Sequence, residues 1–289
     1  MLPPERWRER RLAHEGRVDG WLADHLARRR SGVKHPVLDF LFTYYSFRPA
    51  QLRRWHPGAG VVLEGADPAE FGADYVAEGG ALRLDLGLVM ARRQGSVEWV
   101  RQLLMSTAGR PARLGCFGLH EWAMVYGQRQ PETRHSAMPL RLGVDGTAAL
   151  VEELPIRCSH FDAYRFFTPA ARPRNELRPT RQTQAEWEQP GCLHANMDLY
   201  KWAYKLSPLI PSELVADCFA FALQIRTLDM RASPYDLTSL GLDPVPIETP
   251  DGRAEYVRQQ RDFAERSAGL RDRLVAAIDS AVAAAAPVR

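Results

Sequence analysis

Residues 254–285 read AEYVRQQRDFAERSAGLRDRLVAAIDSAVAAA. Tyr256, Phe263, Leu270, Leu274, Ile278 and Val282 recur at steps of seven or four, so they share one stripe of a helix. The spacing predicts a long C-terminal helix over 254–285 that docks its seam on the body, with a weak point at Ser267-Ala268-Gly269. At the other end, Trp7, His14, Val18, Trp21 and His25 predict a helix over residues 1–31, loosened at Gly16 and Gly20. Its outer face is basic, with Arg6, Arg8, Arg10, Arg11, Arg17, Arg28, Arg29 and Arg30.

Between these ends, Pro36 to Tyr45 is apolar on nearly every side and reads as a buried central helix that opens on proline. Val61 to Glu64 reads as a short strand and Gly65 to Gly80 as irregular. Ser96 reads as the N-cap of a helix that ends near Gly109. Asp145-Gly146, between apolar stretches, predicts a hairpin pairing Leu140–Thr147 with Val151–Cys158. Pro211-Ser-Glu opens a helix that runs to about Arg231, with Leu214, Cys218, Ala222 and Ile225 on one stripe. No internal repeat and no Gly/Ser linker interrupts the chain. The expected fold is mainly α with a small antiparallel β element (α+β), as a single globular domain over 1–289.

Composition narrows the class. The chain has 289 residues, 45% hydrophobic and 25% charged, enough for a substantial core. No apolar run approaches the ~18 residues of a membrane span, and the N-terminus lacks a signal-like apolar region, so a cytoplasmic protein is expected. Four dispersed cysteines, Cys116, Cys158, Cys192 and Cys218, do not form a disulfide framework. The net charge of +3 neither requires nor excludes a nucleic acid. Lys34, Lys201 and Lys205 are the only lysines among 38 basic residues. Where arginine is the default, a retained lysine suggests a need for a compact ammonium.

Three segments gather reactive side chains among aromatics, around His120, His160 and His194. On a helix, His194, Asp198, Lys201 and Trp202 fall along one face, which suits a catalytic carboxylate flanked by an imidazole and an ammonium. The same spacing also suits a satisfied histidine on a half-buried helix. His160 and Asp162 share a face in an extended segment, as in iron sites, whereas Ser159-His-Phe-Asp162 equally matches a capping box. His120 and Glu121 are adjacent, so on a helix only one of them should face a common centre. A cysteine precedes each histidine, but no C-x₂-C pair marks a structural zinc. Phosphate-binding loops, dinucleotide fingerprints, the nucleophile elbow, H-E-x-x-H and the deaminase motif are all absent.

The stretches beginning His35-Pro-Val-Leu-Asp-Phe, Leu52-Arg-Arg-Trp-His-Pro-Gly, Leu119-His-Glu-Trp-Ala-Met, His160-Phe-Asp-Ala-Tyr-Arg and Gln189-Pro-Gly-Cys-Leu-His resemble a bacterial family labelled 3-methyladenine DNA glycosylase. The resemblance covers nearly the whole chain, although the helix-hairpin-helix of better-known glycosylases is absent. It implies a DNA N-glycosylase-like hydrolase of DNA repair that removes an alkylated or modified base without a cofactor. Such chemistry needs a carboxylate, for which Asp198 and Asp162 are candidates, with His194 and Lys201 beside it. It also needs stacking faces, for which Trp122, Tyr126, Phe161, Tyr164, Tyr200 and Trp202 are candidates, and a phosphate grip, for which the basic N-terminal helix could contact DNA. The alternative from the residues alone is an iron- or zinc-dependent enzyme on a small molecule, with His120, His160 and His194 as metal ligands beside Asp162 or Asp198. A third reading is a catalytically silent binding protein that leaves the histidines structural.

Overall fold

Helix α1 (Pro4–Ser31) starts on proline, whose missing N–H costs nothing in a first turn, and ends at Gly32 in the left-handed region. In a computed structural model that describes residues 1–286, the chain is mainly helical with one three-stranded antiparallel sheet. By internal contacts it divides into two compact units. The first comprises Met1–Met105, Asp198–Ala222 and the chain from Gly269, and the second Ser106–Met197 and Leu223–Ala268. No helix among the described residues is long and apolar enough to cross a membrane.

In the first unit, α1 buries Trp7, His14, Val18, Leu22 and His25, and neither Gly16 nor Gly20 breaks it. Pro36 to Tyr45 is not one helix. Asp39 accepts the His35 N–H and ion-pairs with Arg28 at 2.7 Å, while His35 Nδ1 accepts from Val37 and Leu38. These side chains satisfy the backbone in place of a helical ladder, and only α2 (Phe40–Tyr44) is helical. After α3 (Pro49–Arg53) come β1 (Val62–Glu64), α4 (Pro68–Phe71), β2 (Tyr75–Glu78) and β3 (Ala81–Leu84), in sheet order β1-β3-β2.

The antiparallel element expected at 140–158 therefore lies at 62–84 instead, and the stretch expected to be irregular carries a helix and a strand. Gly79 and Gly80, both at positive φ, close the β2–β3 hairpin, a two-residue turn that tolerates little else. Helix α5 (Leu86–Ala108) starts ten residues before Ser96, because Asp85 accepts the Leu88 N–H at 2.9 Å and caps it there.

In the second unit, α6 (Leu119–Ala123) is buried at every residue. Residues 143–153, expected to turn and pair, form α7 (Gly143–Glu153) with Thr147, Leu150 and Val151 on its inner face. Gly143 takes the positive φ, and Asp145 sits in the first turn, where a carboxylate favours the helix. Gly146 is required by close packing, since a Cβ there would lie 2.9 Å from Leu142 Cβ. Short helices α8 (Phe161–Tyr164) and α9 (Gln184–Trp187) follow. Then come α10 (Leu193–Lys205), α11 (Ser212–Arg231) and α12 (Pro250–Ala285). Along α12, Tyr256, Phe263, Leu274 and Ile278 are buried as the seam predicts, but Leu270 is only half-buried and Ala281 replaces Val282 at its end.

Candidate metal centre

The second unit concentrates its buried polar groups at one place. Gly118, at positive φ, turns the chain into α6, where both His120 and Glu121 are buried. The expectation that only one of them enters the site is wrong, because α6 is little more than one turn long and is covered on all sides. Facing it, α11 presents Arg226 and Asp229, three apart. His120 Nε2 lies 2.7 Å from Asp229 Oδ1. Arg226 Nη1 donates to Asp229 Oδ2 and to Glu121 Oε1, each at 2.7 Å.

The second residue of α10, His194, completes the group. Its ring meets His120 edge-on at 4.4 Å between centroids and stacks on His160 at 5.4 Å. One ligand atom from each of His120, Glu121, His194 and Asp229 lies within 4.8 Å of the others. His160 is the N-cap of α8, so the capping box expected at Ser159 and Asp162 does not form: the helix starts one residue later and Asp162 pairs with Arg165. Its Nδ1 accepts the Ala163 N–H at 3.2 Å, which puts the proton on Nε2, 3.3 Å from Glu188 Oε1. At the start of α10, Gly191 leaves no room for a side chain, since a Cβ would lie 2.6 Å from the Arg113 carbonyl oxygen.

Electrostatics assign the charges. Burial would raise the Asp229 carboxyl, but the charge and hydrogen bond of His120, with Arg226 beside it, hold it well below the carboxylate range. Burial, reinforced by His120, drives His194 well below its ordinary value, so it stays neutral. A cavity of about 370 Å³ adjoins the group, lined by His120, His194, Cys116, Cys158, Cys192, Ser159, Arg113 and Arg157 among others. Burial pushes the thiols up, Cys158 to about 12 and Cys192 well above its ordinary value, so neither supplies a thiolate. All four cysteines are free, as expected.

The other candidates divide. In the first unit, buried Asp198 accepts from Tyr45 Oη at 2.9 Å and from Lys201 Nζ at 2.9 Å. Lys201 lies 4.6 Å over the Trp202 ring, as the helical spacing predicts. Asp162 ion-pairs with Arg165 at 3.2 Å. Trp122 and Tyr200 are core residues; Trp122 donates to the Ala232 carbonyl and Tyr200 packs on Tyr45, Tyr204 and Phe219. Trp202 packs on Trp99. Tyr126 bonds Glu152 at 2.6 Å, and Tyr164 packs on Phe167. On α1, Arg10, Arg17 and Arg28 are held by Glu213, Asp217 and Asp39, and Arg11 pairs with Glu70.

Because buried Asp198 accepts from Tyr45 and Lys201, Asp198→Asn is expected to cost about 1–3 kcal/mol in a urea melt, through the weakened bond to the Lys201 ammonium. A variant within about 0.5 kcal/mol of the parent would show this pair to be dispensable.

Spacing around the histidines missed Arg226, Asp229 and Glu188. One signal was present: Asp229 falls four residues after Ile225, where the apolar stripe of α11 calls for another apolar side chain. Comparison of the chain with protein families, curated proteins and solved structures gives no match.

Proposed function

We propose that this protein is a metal-dependent enzyme that holds one iron or zinc ion at His120, His194, Asp229 and Glu121 and acts on a small molecule in the adjoining cavity. The observation that carries the reading is the convergence of four donors: one ligand atom from each of His120, Glu121, His194 and Asp229 lies within 4.8 Å of the others, and His120, Glu121 and Asp229 are buried. Imidazole and carboxylate donors in such a group suit iron or zinc.

The contact between His120 and Asp229 fixes the His120 ring within the group. His160, fixed by Ala163 and Glu188, acts as a positioning residue that backs the His194 ring. The metal would polarise substrate or lower the pKa of a bound water. Base excision fits less well, because Asp198 and the stacking candidates Trp122 and Tyr200 are enclosed in protein.

Protein purified without chelator should carry about one equivalent of iron or zinc by elemental analysis, and His194→Ala should lose it. Since His194 is held well below its ordinary value of 6.5, retention should persist on acidification past that point. Metal-free parent protein that takes up neither ion on reconstitution would remove this reading.

A further inference from the structure

A second cavity, of about 390 Å³, opens in the first unit and belongs to none of the groups above. Its wall takes cations from three elements: Arg54 at the end of α3, Arg93 on α5 and Lys205 at the end of α10. The one acidic side chain on the wall, Asp74, is paired with Arg92. Positive charge on the wall is therefore in excess. Arg93 is also fixed in place, because its Nη1 donates to the carbonyls of Lys205 at 3.1 Å and Ser207 at 2.6 Å. That leaves its Nε and Nη2 donors for another acceptor.

The rest of the lining is aromatic. Phe47 and Tyr204 stack at 4.8 Å with their planes 16° apart, and Phe47 keeps part of its surface exposed. Phe71 and Tyr75 pack at 5.2 Å, and the Tyr75 hydroxyl lies 3.0 Å from His56 Nδ1. Burial, with Arg54 adding to it, lowers His56 to about 4, so at neutral pH it offers a polar edge without charge. Planar guanidinium forks suit a phosphoryl dianion, and the volume exceeds that of a bare phosphate.

We propose that this cavity binds a small phosphate ester bearing a flat ring, of the nucleoside monophosphate class. The phosphate sits on Arg54, Arg93 and Lys205, and the ring lies against Phe47. This assignment uses no feature of the metal centre and stands or falls apart from it.

Calorimetric titration of the full chain with AMP, CMP, adenosine and inorganic phosphate tests it. Both nucleotides should bind, more weakly at high salt, and each more tightly than adenosine or phosphate. Arg54→Gln and Lys205→Gln alter exposed side chains and should each weaken AMP about tenfold, the loss of one charge-assisted contact, with thermal melts unchanged. Phe47→Leu should weaken AMP and leave inorganic phosphate unaffected. No binding of either nucleotide at millimolar concentration overturns the proposal, as does AMP binding that both Gln variants keep intact. Equal affinity for AMP and adenosine, or for AMP and phosphate, also overturns it, the first against the phosphate contacts and the second against the ring.

Discussion

Arg226→Met should destabilise the protein by about 3–5 kcal/mol, the usual cost of removing one partner from a buried ion pair. Arg226 is 1% exposed and neutralises two carboxylates that are themselves buried. Methionine fills the volume and leaves Glu121 and Asp229 facing each other with no cation between them. Against a total stability of about 5–15 kcal/mol, that shift is large and reads directly as a lower urea midpoint. Arg226→Lys should recover only part of it, because one ammonium cannot reproduce the fork that reaches both carboxylates. Adding Asp229→Asn to Arg226→Met should recover more, because it removes a charge the cavity no longer balances. If a divalent ion binds the same carboxylates, zinc or ferrous iron should narrow the gap between Arg226→Met and the parent. A loss under about 1 kcal/mol for Arg226→Met would refute the buried network itself. A large loss that metal leaves untouched would refute only the metal reading.

Acid should unfold the protein through its histidines before its carboxylates. His56 and His135 are both lowered to about 4, chiefly by burial and then by neighbouring arginines, and burial also holds His194 well below its ordinary value. Each is neutral when folded and takes up a proton when unfolded, so below the unfolded value of about 6.5 the unfolded chain binds more protons. Their contribution is present above that value and is lost as pH falls from it towards about 4. The slope is at most about 1.4 kcal/mol per pH unit for each histidine. Asp229, whose folded value is depressed, loses its contribution only below the ordinary 3.8, which separates the two effects. Urea midpoints should therefore decline between pH 6.5 and 4, and His56→Gln should flatten the decline. A midpoint constant across that window would show that these imidazoles already charge in the folded state.

The helices legible in the sequence are those whose pattern repeats over several turns. The α1 stripe and the α12 seam fall where Trp7, Val18, Tyr256, Phe263 and Leu274 place them. Elements set by one or two side chains were misread. Asp145-Gly146 has the composition of a hairpin turn, yet Gly143 three residues earlier takes the unusual backbone and starts a helix. Asp39 and His35 break an apolar run that periodicity alone extends as a helix.

At the site, the three histidines were visible because each stands among reactive neighbours, whereas Asp229 and Arg226 lie within an apolar stripe about a hundred residues along from His120. Nothing local marks such a partner except a charge where an apolar residue belongs. Asp198 drew attention through its helical neighbours, and it does contact Lys201, but Tyr45, which also bonds it, is 153 residues away.

The way the two units draw on the chain bears on the order of synthesis. Every residue of the second unit, and with it His120, Glu121, His194, Arg226 and Asp229, has been made once Ala268 is added. The first unit, although it begins at Met1, also needs the chain from Gly269. A nascent polypeptide therefore carries a complete second unit while the first is still waiting for its last segment, and contacts of such long sequence separation form slowly. During that interval α1, which buries Trp7, Val18 and Leu22 in the finished fold, belongs to a unit that is still incomplete.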